Sequence, residues 1–104
     1  MNKQIDRKVQ NLKAVKESKI EKGLRRIVVD AGGACAKFES PGMPDRLCFL
    51  PGGRLYLVET KRPTGKLRLF QQVAHRGLKR LGFDVRTIYN EQELKQFENE
   101  ISAV

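Results

Sequence analysis

The chain has 104 residues, a formal net charge of +9, one histidine, two cysteines and no tryptophan. That length suits one small domain built on a single core. No apolar run approaches the roughly 18 residues of a membrane-spanning helix, and the basic N-terminus lacks the apolar core of a secretion signal. Cys35 and Cys48 show no Cys-x-x-Cys spacing and His75 stands alone, so a zinc site is not expected. Both cysteines fall in predicted strands and read as buried free thiols of a reducing compartment, which places the protein in a cytoplasm.

The charge is unevenly distributed. Residues 1–26 carry nine Lys/Arg against Asp6, Glu17 and Glu21, whereas residues 91–104 carry only Lys95 against four glutamates. A chain that is basic everywhere except its last segment points to a polyanionic partner, nucleic acid first among them.

In chain order, residues 1–17 form a basic arm or short amphipathic helix, with Ile5, Val9 and Leu12 on one side. A DNA-contacting arm, a dimer contact and a frayed end are all compatible with it. The remainder, residues 18–104, reads as the folded domain. Ser18 and Glu21 match a capping box, and a helix follows to about Ala31 with Leu24, Ile27 and Val28 as its inner stripe. Ala34 to Phe38 reads as a strand. The next segment, Glu39 to Pro44, is rich in turn formers and delivers the chain to Asp45.

Two apolar runs then flank Pro51-Gly52-Gly53: Leu47 to Leu50 and Leu55 to Val58. This pattern predicts a β-hairpin. If the loop comprises Pro51 to Gly53, Asp45 stands opposite Glu59; if it is only Gly52-Gly53, Glu59 faces Arg46. In the first register the two carboxylates have Cα atoms roughly 4.5–5.5 Å apart. Alternation sets Asp45, Leu47, Phe49, Leu55, Leu57, Glu59 and Lys61 on one face, expected to lie under a helix. Facing carboxylates need a cation between them, and oxygen ligands suit a hard one such as Mg²⁺. A surface hairpin with simple ion pairs is the other reading.

The basic loop Arg62 to Lys66 precedes a predicted helix over about 67–81. Phe70, Val73, Ala74, Leu78 and Leu81 are its expected core stripe, with Gln71 at the border and His75 as an ordinary surface histidine. A fourth strand, Asp84 to Tyr89, carries Val85 and Ile88 inward. Asn90 then caps a last acidic helix with Leu94, Phe97 and Ile101 inside. The order α-β-β-β-α-β-α defines an α/β fold, a mixed sheet flanked by helices.

Pro44-Asp45, thirteen intervening residues, then Glu59-Thr60-Lys61 resembles the signature of the PD-(D/E)XK nuclease superfamily. With Glu21 upstream, and with Gly32-Gly33, Lys37, Ser40-Pro41-Gly42, Gly65-Lys66-Leu67, Gln71, Leu78 and Gly82 in order, the chain resembles the VRR-NUC (virus-type replication-repair nuclease) domain over roughly residues 18–100. The resemblance implies a restriction-endonuclease-like core and metal-dependent hydrolysis of DNA phosphodiesters. It implies a catalytic set of Glu21, Asp45, Glu59, Lys61 and Gln71. Asp45, Glu59 and the Thr60 backbone carbonyl would hold Mg²⁺, with Mn²⁺ as a substitute and Glu21 joining through water. Glu21 thereby has two readings, helix cap and site residue. Lys37, Arg46, Arg62 and Lys66 are expected at the nucleic acid. Stand-alone, often phage-borne, members resemble Holliday-junction resolvases acting as homodimers. The expected protein is therefore a cytoplasmic, homodimeric endonuclease for branched DNA, its interface in residues 1–31. Flapped, nicked or linear DNA is the alternative substrate, and a catalytically inactive nucleic-acid-binding module the alternative function.

Overall fold

The structure, a computed structural model, describes residues 19–61 and 65–102. The expected arm over residues 1–17, the Ser18 cap and Arg62 lie outside the described residues. Residues 19–30 form α1, followed by β1 (Ala34–Lys37), β2 (Arg46–Leu50), β3 (Arg54–Thr60), α2 (Leu69–Arg80), β4 (Asp84–Ile88) and α3 (Glu91–Ser102). The strands lie in the order β1-β2-β3-β4. The first three are antiparallel, and β4 joins β3 in parallel. A parallel partner requires a crossover, and α2 supplies it.

The β2–β3 turn is the three-residue form. Gly52 and Gly53 both have positive φ, at 82° and 73°, a conformation that residues with a Cβ rarely adopt. The loop Pro51–Gly53 sets the pairing, with Arg46 against Val58, Leu47 against Leu57 and Leu50 against Arg54. Continued by one residue, this register brings Asp45 to Glu59.

One face of the sheet carries the core. Leu24, Ile27 and Val28 of α1 and Leu94, Phe97 and Ile101 of α3 bury there against Cys48, Leu50, Val58 and Ile88. Burial of such side chains contributes about 1.5–3 kcal/mol each. The start of α3 is fixed by Asn90, whose Oδ1 accepts the Glu93 amide at 2.8 Å while Glu93 Oε1 accepts the Tyr89 amide at 2.7 Å.

The opposite face is covered differently from expectation. Of the α2 stripe predicted as core, Ala74 and Leu78 face the sheet, but Phe70, Val73 and Leu81 are turned outward, 53%, 57% and 74% exposed. The side toward the sheet instead carries Gln71, Ala74, His75 and Leu78, at the i, i+3, i+4, i+7 spacing of one helix face. His75, expected at the surface, is 4% exposed. Phe49 is likewise largely exposed rather than covered by a helix. Periodicity locates an apolar stripe but not what is available to cover it. This sheet face ends in Glu59 and Lys61, and one 12-residue helix spans only part of it.

Candidate active site

The site forms where the hairpin opens. Asp45 is the residue before β2, Glu59 and Thr60 end β3, and Glu21 reaches in from α1. Thr60 ties them together. Its amide donates to Asp45 Oδ1 at 3.4 Å, and its hydroxyl lies 3.2 Å from Asp45 Oδ2 and 3.4 Å from Glu21 Oε1. Cations stand at both ends of the carboxylate row. Arg46 Nη2 donates to Glu21 Oε2 at 3.0 Å, and Lys61 Nζ lies 3.6 Å from Glu59 Oε2.

The carboxylates are strained electrostatically. Burial, and then the Glu21 charge, holds Asp45 above the usual carboxylate range. Burial, and then the Asp45 charge, pushes Glu59 up to about 7, and Lys61 offsets only part of this. Glu59 is 5% exposed, and its Oε1 has no hydrogen-bond partner among the described residues. Desolvated like charges with an unpartnered oxygen form a donor set that a hard divalent cation fits. Among the described residues, no three His, Cys, Asp or Glu side chains converge as a ready-made metal cluster. The fit rests on the desolvated carboxylates of Asp45 and Glu59.

The remaining expected residues are placed unevenly. Glu21 does face the cluster, whereas its alternative partner, Ser18, lies outside the described residues. Gln71 Oε1 accepts the Arg68 amide at 2.9 Å, capping α2; that oxygen is turned to its own helix and not to the carboxylates. Lys37 and Lys66 are exposed. Arg46, expected at the nucleic acid, lies on the α1 side of the sheet, its side chain 15% exposed and paired with Glu21. Sequence reasoning missed His75. Its Nε2 is buried without a partner among the described residues, and burial with the nearby Lys79 and Lys61 charges keeps the ring below its ordinary pKa. Its place four residues beyond Gln71 was the one available signal.

A mixed sheet with two carboxylates and a lysine at the open end of its central hairpin defines a PD-(D/E)XK-type nuclease fold. A solved structure of a "VRR_NUC domain" superposes with a TM-score of 0.73 at 25% identity, covering 78% of this chain and 91% of that one. A protein of Acyrthosiphon pisum secondary endosymbiont phage 1, named "Putative nuclease p44", is 40% identical over 77 residues, 71% of this chain and 83% of that protein. No family model matches the chain. The chain belongs to the VRR-NUC domain family. No helix among the described residues is long and apolar enough to cross a membrane.

Proposed function

We propose that this protein is a divalent-metal-dependent endonuclease that hydrolyses phosphodiester bonds in branched DNA of the Holliday-junction type. The observation that carries the reading is the buried Glu59 beside Asp45, with Lys61 at 3.6 Å and one oxygen unpartnered among the described residues. Asp45, Glu59 and the Thr60 carbonyl would hold Mg²⁺ or Mn²⁺, and Glu21 would join through water. Such an ion supplies a more acidic water and positive charge for the phosphate. Lys61 orients the attacking water and offsets charge that develops on the phosphate. Arg46 positions Glu21, and Gln71 orients water or a phosphate oxygen with its amide nitrogen. Lys37, Lys66 and Arg62 contact phosphates, which carry no sequence code, so cleavage should show no sequence preference.

Two symmetric cuts need two sites in a fixed relation, which a two-fold homodimer provides. Two faces of the chain are available for it. The interface expected in residues 1–31 lies largely outside the described residues, while the outward α2 side exposes Phe70, Val73 and Leu81. Sedimentation equilibrium of Val73→Glu and of the chain lacking residues 1–17 distinguishes them, since only the variant touching the interface should dissociate.

The activity test is incubation with four-way-junction, flapped, nicked and linear DNA, in Mg²⁺ and in EDTA. Junction cleavage in Mg²⁺ alone, absent in Asp45→Ala, is expected. Cleavage that persists in EDTA, or in Asp45→Ala and Glu59→Ala alike, would sink the assignment. Faster cleavage of flapped, nicked or linear DNA would replace the junction with that substrate.

A further inference from the structure

We infer that Cys35 and Cys48 form a cross-strand dithiol site that hydrogen peroxide converts reversibly into an intramolecular disulfide. Strand pairing sets Cys35 directly opposite Cys48 across β1 and β2. The kind of pair follows from the ladder. The Phe38 amide donates to the Asp45 carbonyl at 2.8 Å, which makes those opposed residues a hydrogen-bonded pair. Pair types alternate along an antiparallel ladder. Lys37–Arg46 is then non-hydrogen-bonded, Ala36–Leu47 hydrogen-bonded and Cys35–Cys48 non-hydrogen-bonded. In that type the Cα atoms lie about 4.5 Å apart with the side chains closest. A disulfide accepts Cα separations of about 4.4–6.8 Å, so the strands need not part to form one.

The two thiols differ in access, which orders the chemistry. Cys35 is partly exposed on the edge strand, whereas Cys48 is fully buried against the α1–α3 core. Contact between the thiols is the largest influence on both. It lowers Cys35, helped by Arg46 and Arg25 against burial and Asp45, and it raises Cys48, as burial does. Cys35 is therefore the attacking thiolate and Cys48 the resolving thiol.

In the first step the Cys35 sulfur attacks a peroxide oxygen. The O–O bond breaks, water leaves with the thiol proton, and Cys35 becomes a sulfenic acid. The Cys48 sulfur then attacks Cys35. The S–S bond forms, the S–O bond breaks, and hydroxide leaves with the Cys48 proton as a second water. Two thiols lose two electrons and one hydrogen peroxide becomes two waters. The bond staples edge strand β1 to β2 and closes the segment that carries Asp45, which lies between the two cysteines.

The test treats the full reduced chain with hydrogen peroxide and reads intact mass, peptide map and thermal midpoint. The expected product has lost two hydrogens, links the Cys35 and Cys48 peptides, melts higher than the reduced chain and reverts with dithiothreitol. In Cys48→Ala, which stays apolar in the core, Cys35 should instead gain one oxygen that dimedone traps. Oxygen addition at Cys35 without a cross-link in the unsubstituted chain would overturn the inference. So would chain-to-chain disulfides, or thiols untouched by peroxide that oxidises free cysteine.

Discussion

Glu59→Gln separates the electrostatics of the site from its chemistry. Gln keeps the shape of the side chain and removes a charge that burial and Asp45 both oppose. In the folded parent Glu59 titrates at about 7, raised from its usual 4.5. Between these values the folded chain holds a proton that the unfolded chain has released. Parent stability therefore falls as pH rises through this window, and the loss is complete above about pH 7. At about 1.4 kcal/mol per pH unit, the interval corresponds to roughly 3 kcal/mol. Because Glu59 is 5% exposed, solvent screening removes little of this. Urea unfolding in EDTA should show the stability of Glu59→Gln relative to parent growing by about 3 kcal/mol from pH 4.5 to pH 8. Mg²⁺ at pH 8 should narrow the gap by stabilising the parent alone, because a ligand that binds only the folded state adds stability by mass action. A difference independent of pH, or one largest at low pH, would refute the reasoning.

Lys61→Ala should lower the cleavage rate by at least about tenfold more than it lowers DNA affinity. A lysine at the scissile phosphate acts on the transition state, while one of 21 basic residues adds little to polyelectrolyte binding. An equal fall in both, measured by single-turnover cleavage and binding titration, would make it a binding residue only. Gly33→Ala should destabilise by more than about 3 kcal/mol in urea, because a Cβ there would lie 2.1 Å from the Phe49 carbonyl oxygen. A mild effect would show that β2 can withdraw from the turn between α1 and β1. His75→Leu should change stability by less than about 1 kcal/mol, since Nε2 makes no hydrogen bond to the described residues, while turnover falls through the altered surroundings of Lys61. Unchanged turnover with a large stability loss would leave His75 a packing residue.

The local features were legible in the chain itself. Pro51-Gly52-Gly53 sets the hairpin register, and that register brings Asp45 to Glu59 with Lys61 two residues on. These are short-range constraints, carried by turn geometry and by a side-chain period of two. The stripes of α1 and α3 were equally readable, because Leu24, Ile27 and Val28, and Leu94, Phe97 and Ile101, recur at helical spacing. The VRR-NUC family was likewise within reach through the resemblance that Asp45, Glu59, Lys61, the flanking glycines and Gln71 carry to it.

Only the tertiary structure decided which partners meet across long separations. Arg46 pairs with Glu21, 25 residues away, because alternation on β2 points it at α1. Thr60 joins Asp45 to Glu21 only because α1 crosses the end of β3. The outward rotation of Phe70, Val73 and Leu81, which buries His75 in their place, depends on how much of the sheet one crossover helix can cover. The opposition of Cys35 and Cys48 likewise depends on β1 pairing with β2 across a loop without periodic pattern. A sequence specifies which faces are apolar and which turns are tight, but the competition among faces for the available surface is resolved only when every element is in place.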